Sequence, residues 1–238
     1  MNNKIKKTDT ALESASTFVV PDDYDLGIQR EDVKMPAILL WQKMSDMVEF
    51  EDENVKAGDF VNPVSGEILG KSFEASIIKP FVTVRKFGEV DKESGRKEVK
   101  RYSRDGVHWD DGSRISPKEF QWTDDQSHAL KSFHYLVLVK GSKMPAIVTF
   151  KGASAKFAKT LNANLMYQIP CWRSWFKFFS AVEERAGNKY HIIQSKAQPK
   201  KAIDGETANL CLEFYKMGGG VTSTEMEKEF DGESVDFK

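Results

Sequence analysis

The hydropathy pattern predicts a mainly β domain with two helices between polar ends. Three observations carry that expectation. Runs rich in β-branched and aromatic residues recur at 74–87, 133–140, 144–150, 171–183 and 189–195. Two segments, 153–167 and 204–217, place apolar residues at helical spacing. Residues 1–34 and 218–238 show no packing period and are rich in acids, glycine or serine.

The first ordered region is expected from Met35-Pro36-Ala37-Ile38-Leu39-Leu40-Trp41, after a disordered acidic arm at 1–34. Glu49–Asn54 reads as an acidic loop, and residues 58–70 as strand, turn, strand, with Asn62-Pro63 and Ser65-Gly66 supplying the turn chemistry. Residues 74–87 read as one long strand, in which Pro80 calls for an edge position or a bulge. A turn at Asp91–Gly95 leads into a returning strand at Lys97–Tyr102, and residues 103–130 read as loop. Phe133–Lys140 is apolar on both parities, as in a buried strand, and Met144–Phe150 follows the Gly141-Ser142 turn. In the helix at Ala153–Tyr167, Phe157, Ala158, Leu161 and Leu165 share a face, and Pro170 stops the element. Strands at Cys171–Glu183 and Lys189–Ser195 flank a turn at Gly187-Asn188. Asp204 is the expected N-cap of a helix through Met217, which Gly218-Gly219-Gly220 ends. The pentapeptides Lys34-Met35-Pro36-Ala37-Ile38 and Lys143-Met144-Pro145-Ala146-Ile147 echo each other, and both are expected to mark strand starts.

The net charge of −1 conceals a strong segregation. Residues 8–60 carry net −9, residues 71–104 net +5, residues 131–201 net +11 and residues 221–238 net −4. A field of +11 inside a neutral chain is aimed at something negative, and phosphate backbones are the commonest such partner. The opening Met-Asn-Asn-Lys-Ile-Lys-Lys has no apolar segment behind it, so no secretory signal is expected. No apolar run approaches a membrane span, and a cytoplasmic setting fits two distant cysteines, Cys171 and Cys211.

Two strands alternate cations with aromatics. In the strand from Cys171, even positions Trp172, Phe176, Phe178 and Val182 form an apolar set, while odd positions present Arg173, Trp175, Lys177 and Phe179. In 74–87, Ile78, Val82 and Val84 oppose Lys79, Phe81, Arg85 and Phe87. Bases stack on aromatic planes while cations track phosphates, so two such faces predict a groove for single-stranded nucleic acid, with Lys189 and His191 beside it. The tail adds Glu227, Glu229, Phe230, Asp231, Glu233, Asp236 and Phe237, an acidic peptide with an aromatic near its end that can dock into a basic-rimmed pocket.

The order of elements after residue 56, with the strands Phe133–Lys140, Met144–Phe150, Cys171–Glu183 and Lys189–Ser195, the helix Ala153–Tyr167 and the tail Glu225–Phe237, resembles phage single-stranded DNA-binding proteins built on an OB-fold. The resemblance is one of pattern and covers most of residues 56–238. It implies an OB-like barrel at 35–217, binding of single-stranded DNA in replication, recombination or repair, and a tail at 218–238 that recruits replication proteins such as a polymerase or helicase. Lys238 after Phe237 departs from that family, whose aromatic is usually last.

Catalytic patterns are weaker. No phosphate-cradling glycine loop occurs. His108, His128, His134 and His191 lack metal-ligand spacing, and no cofactor or metal is implied. Asp91 with Glu98-Val99-Lys100 has the carboxylate, carboxylate, lysine order of a metal-dependent nuclease, the alternative reading. A third is a non-enzymatic inhibitor whose acidic arm and tail mimic DNA. The reading adopted is a binding protein and not an enzyme.

Overall fold

The structure, a computed structural model, describes residues 35–42, 54–90, 97–121, 128–185 and 187–217. Among these residues there are nine strands, β1 (Ala37–Leu40), β2 (Phe60–Asn62), β3 (Glu67–Gly70), β4 (Ser72–Val90), β5 (Lys97–Ser103), β6 (Ala129–Val139), β7 (Pro145–Phe150), β8 (Ser174–Arg185) and β9 (Asn188–Ala202). The helices are α1 (Ala155–Met166) and α2 (Gly205–Met217). The strands join one sheet in the order β3-β2-β1-β7-β6-β4-β8-β9, with β5 also on β4. The mainly β class and the two helices are those the sequence predicts. The sheet curls as a half-barrel, an open path longer than the five-stranded barrel expected from the resemblance.

β4 organises this sheet. At 19 residues it is long enough to pair with β6 along one side and, on the other, with β8 at Ser72–Ala75 and β5 at Val84–Val90. Between those two partners lies Pro80, on a stretch with no second strand beside it among the described residues. A register shift between Ile77 and Lys79 adds the bulge. The edge position or bulge expected for Pro80 is met in part: β4 is an inner strand, but Pro80 stands just past the bulge, on a side with no partner strand among the described residues, so its missing N–H disturbs no ladder there.

The pleat sends alternate residues to two faces, and each has its own core. The inner face buries Phe73, Ala75 and Ile77 of β4, Tyr135 and Val137 of β6, Val148 and Phe150 of β7, and Phe176 and Phe178 of β8. These pack against Ala158, Leu161 and Leu165 of α1. Phe178 stacks on Phe73, with ring centroids 5.0–5.1 Å apart along the chain Phe60–Phe73–Phe178. The Tyr135 hydroxyl donates to Asn162 Oδ1 at 2.7 Å, tying α1 to β6. The opposite, outer face carries Ile78, Leu136, Leu138 and Ile147, covered by Leu210, Cys211 and Phe214 of α2.

α2 begins as expected. Asp204 accepts from Thr207 N at 2.8 Å and from the Thr207 hydroxyl at 2.9 Å, and these bonds hold its carboxyl below the usual range. Asp204→Ala should lower the midpoint of denaturant unfolding, since it removes the cap from the first turn of α2. An unchanged midpoint would show that the packing of Leu210, Cys211 and Phe214 sets the helix without its cap.

The echoed pentapeptides turn out to be neighbours. β1 and β7 pair in parallel, Ala37 opposite Ile147 and Ile38 opposite Val148, and Ile147 N donates to Pro36 O at 2.8 Å. At the far end of the sheet the Gln42 amide spans to β9: its Nε2 donates to His191 O at 2.7 Å and its Oε1 accepts from His191 N at 3.0 Å. One side chain thus reproduces a strand rung between β1 and β9. Gly58 makes room here. Its φ is +90°, and a Cβ would stand 2.5 Å from the His191 ring.

Several boundaries differ from expectation. β8 starts at Ser174 because Cys171–Arg173 forms a 3-10 turn. β9 runs on to Ala202. Residues 103–121 are more ordered than a plain loop, with a 3-10 turn at Pro117–Phe120 capped by Ser116 and Glu119. Glu119 also accepts from Trp109 Nε1 and Lys86, both at 3.2 Å, which pins this segment onto the inner face of β4. Val182, expected in the core, is exposed. The arm at 1–34 and the acidic loop, up to residue 53, lie outside the described residues.

Candidate nucleic-acid interface

Lys79, Phe81 and Arg85 all follow the bulge, so the alternation of β4 puts them on one side, and Phe87 continues it, since the further shift between Lys86 and Phe87 leaves its extra residue, Lys100, on β5. That side is the outer face, since Phe81 packs on the α2-covered cluster and stacks on His134, ring centroids 4.9 Å apart and planes 9° apart. All four side chains are half-buried. Ile78, the bulged residue, points to this face as well, against the expectation that it would join Val82 and Val84. The bulge reverses parity within the strand, and this is why the earlier grouping fails at Ile78 alone.

β5 adds a residue that sequence reading missed. Tyr102 lies opposite Arg85, whose guanidinium carbon is 5.8 Å from the Tyr102 ring centroid. The signal was present in Lys100-Arg101-Tyr102, a cation and aromatic mixture on the strand returning beside β4. The floor of the patch is His134. Its ring nitrogens meet Thr83 Oγ1 at 2.8 Å and Thr149 Oγ1 at 2.9 Å. Burial, followed by the charges of Arg85 and Lys151, pushes its pKa down to about 3, so the ring is neutral at ordinary pH. Cations, aromatic rings and a neutral hydrogen-bonded floor therefore meet on one surface of β4, β5 and β6.

The second predicted strand behaves differently. Trp175, Lys177 and Phe179 do share the outer face with Glu74, opposite Lys177. Trp175 is buried, however, at 6% exposure, and so offers no open plane to a base. Its cover is ionic: Lys140 Nζ lies 5.7 Å from its ring centroid, and Gln198 pairs with it across the ladder. Glu74 gathers this cover, accepting from Lys140 at 3.0 Å, from Gln198 at 2.9 Å and from Lys201. Lys177 is exposed opposite Lys196, and Phe179 is half-buried opposite Gln194.

α2 divides the outer face. It covers β4 at Ser76–Ile78, between Glu74 on the β8 side and Lys79 onward on the β5 side. The expected single groove is two patches, a larger one on β4–β5–β6 and a smaller one on β8–β9. Arg173 is exposed but belongs to the turn before β8, where Trp172 meets Tyr215 of α2 at 5.3 Å. Lys189 is exposed at the start of β9, opposite Glu184, and His191 sits at the β1–β9 junction. Neither joins the larger patch. The tail residues Glu227, Glu229, Phe230, Asp231, Glu233, Asp236 and Phe237 lie outside the described residues, as do Asp91 and the Glu98 side chain.

Glu74 also gives a pH prediction. Hydrogen bonds from Lys201, then Gln198 and Lys140, lower its pKa from 4.5 to about 2. A carboxyl that titrates lower when folded adds stability above 4.5 and loses it as pH falls toward 2. Glu74→Gln should therefore reduce stability at neutral pH and flatten the acid limb of a stability profile between those values. An acid limb of unchanged steepness would place the titrating group elsewhere.

Among the described residues no cluster of three His, Cys, Asp or Glu side chains is placed to hold a metal ion, and no helix is long and apolar enough to cross a membrane. The family model for the Pam3 phage gp34-like protein matches residues 7–218. No curated protein and no solved structure matches the chain.

Proposed function

The chain belongs to the Pam3 phage gp34-like protein family, and from the outer face of its sheet we propose that it binds single-stranded DNA with little regard for sequence. The observation that carries this reading is the convergence of Lys79, Phe81, Arg85, Phe87 and Tyr102 on one half-buried surface. Rings of that kind stack on any base, and cations among them follow the backbone. The net +11 of residues 131–201 supports the same partner by drawing phosphates toward the domain from a distance. Lys177 and Phe179 on β8 extend the path past α2. Trp175 has no stacking role in this proposal.

The curled sheet supports an OB-like mode, in which the strand lies across the sheet. The setting would be phage DNA replication, recombination or repair in the host cytoplasm, with the acidic tail recruiting a polymerase or helicase. The test is photo-crosslinking of oligo-dT carrying 5-iodouracil. Adducts are expected on Phe81, Phe87 or Tyr102. Their absence from β4 and β5, with the oligonucleotide bound, would remove the proposed face.

A further inference from the structure

A second cationic site lies on the inner side of the sheet. A cleft of about 600 Å³ opens between residues 106–120, β6 and the start of α1. Arg114, Lys131, Lys156 and Lys159 line it with Phe120 and Phe133, and among the described residues no carboxylate does. Arg114, Lys131 and Lys159, with no ion-pair partner among the described residues, give the cleft a positive potential. Lys156 pairs with Glu183, whose carboxylate belongs to β8 and not to the cleft. Arg114 and Lys159 have no acidic partner among the described residues, and both are exposed.

The cleft is built into the fold. Gly106 has φ +73°, and a Cβ there would stand 2.7 Å from Val82 Cγ1, so the loop lies directly on β4. Trp109 and Ile115 anchor it beneath, against Val84 and Ala129. Lys131 Nζ sits 5.6 Å from the Phe133 ring centroid, cation over aromatic. Phe120 stays exposed at 37% on the rim. An apolar floor with flat rings and a ring of cations suits a base with its flanking phosphates.

We propose that this cleft is a second binding site for single-stranded nucleic acid, on the opposite side of β6 from the β4–β5–β6 patch. The inference rests on the proposed DNA-binding function. Lys131 and Phe133 face the cleft while Ser132 and His134 face the outer patch, so one strand of the sheet serves both. Phosphates would contact Arg114 and Lys159, and a base would lie against Phe120.

The full chain with Arg114→Glu and Lys159→Glu tests this, with Lys159→Gln as a milder companion and Lys79→Glu/Arg85→Glu as the outer-face control. Oligo-dT binding is measured over a range of salt. Loss of two phosphate contacts should make the slope of log K against log salt shallower by about 1.4. Iodouracil adducts on Phe120 should vanish in the cleft variant and persist in the control. Wild-type affinity, slope and adducts in both cleft variants, with weakened binding in the control, would overturn the cleft and leave the outer face standing. Failure of the wild-type chain to bind oligo-dT would overturn both.

Discussion

Phe178→Ala should cost about 3–5 kcal/mol of stability, the largest effect of any single substitution considered. Its ring is fully buried, stacks on Phe73 at 5.1 Å, and approaches Phe150 at 6.3 Å. Truncation would leave a void where β4, β7 and β8 meet, and neighbours held by a nine-stranded ladder have little freedom to close it. Trp175→Ala is expected to destabilise as well, because its ring lies under Lys140 and beside Gln198 and not in solvent. The alternation of β8 alone separates these two positions into core and binding face. Burial of both rings removes that contrast. Urea unfolding of the two variants decides: a Trp175 variant of wild-type stability with weakened DNA binding would restore Trp175 to the interface.

Lys79→Glu/Arg85→Glu should have the largest effect on binding. Each residue stands on the outer face with Phe81 and Phe87. Replacing two cations by acids would remove the two proposed phosphate contacts and add repulsion. The salt slope should become shallower by about 1.4, and affinity should drop most at low salt, where screening is weakest. Phe87→Ala alone should cost about 1–3 kcal/mol of binding, one stacking platform, and that loss should be nearly independent of salt. Titration of fluorescein-labelled oligo-dT at several salt concentrations separates the two effects. A Phe87 loss that scales with salt would mean that the ring positions a cation and does not stack.

The strands were legible because their β-branched runs are long and their turns carry glycine or proline. The Pro80 constraint is the clearest case: an edge position or a bulge was expected there, and Pro80 stands just past the bulge, on a side of β4 with no partner strand among the described residues. The same bulge was invisible as a change of parity, so Ile78 was grouped with Val82 although they face opposite ways. The cations and rings of Lys79–Phe87 could be read together because no further bulge interrupts β4 along its pairing with β6. Burial of Trp175 could not be read, since its cover comes from Glu74, Lys140, Gln198 and Lys201, far apart in sequence. The place of α2 on the outer face is also a tertiary fact, although its apolar stripe of Leu210, Cys211 and Phe214 was visible. In the segment read as loop, Ser116-Pro117-Lys118-Glu119 carries the capping-box spacing that would have revealed its 3-10 turn.

The central claim is that the larger patch recognises unpaired bases as well as phosphates. Its most direct test is equilibrium binding of the full chain to oligo-dT and to a duplex of equal length, at low and at moderate salt. Stacking rings add affinity only where bases are exposed, so oligo-dT should bind more tightly than duplex at both salts, and the gap should persist when salt weakens the phosphate contacts. Equal or tighter binding of the duplex would contradict the account and reduce the patch to a phosphate-binding surface.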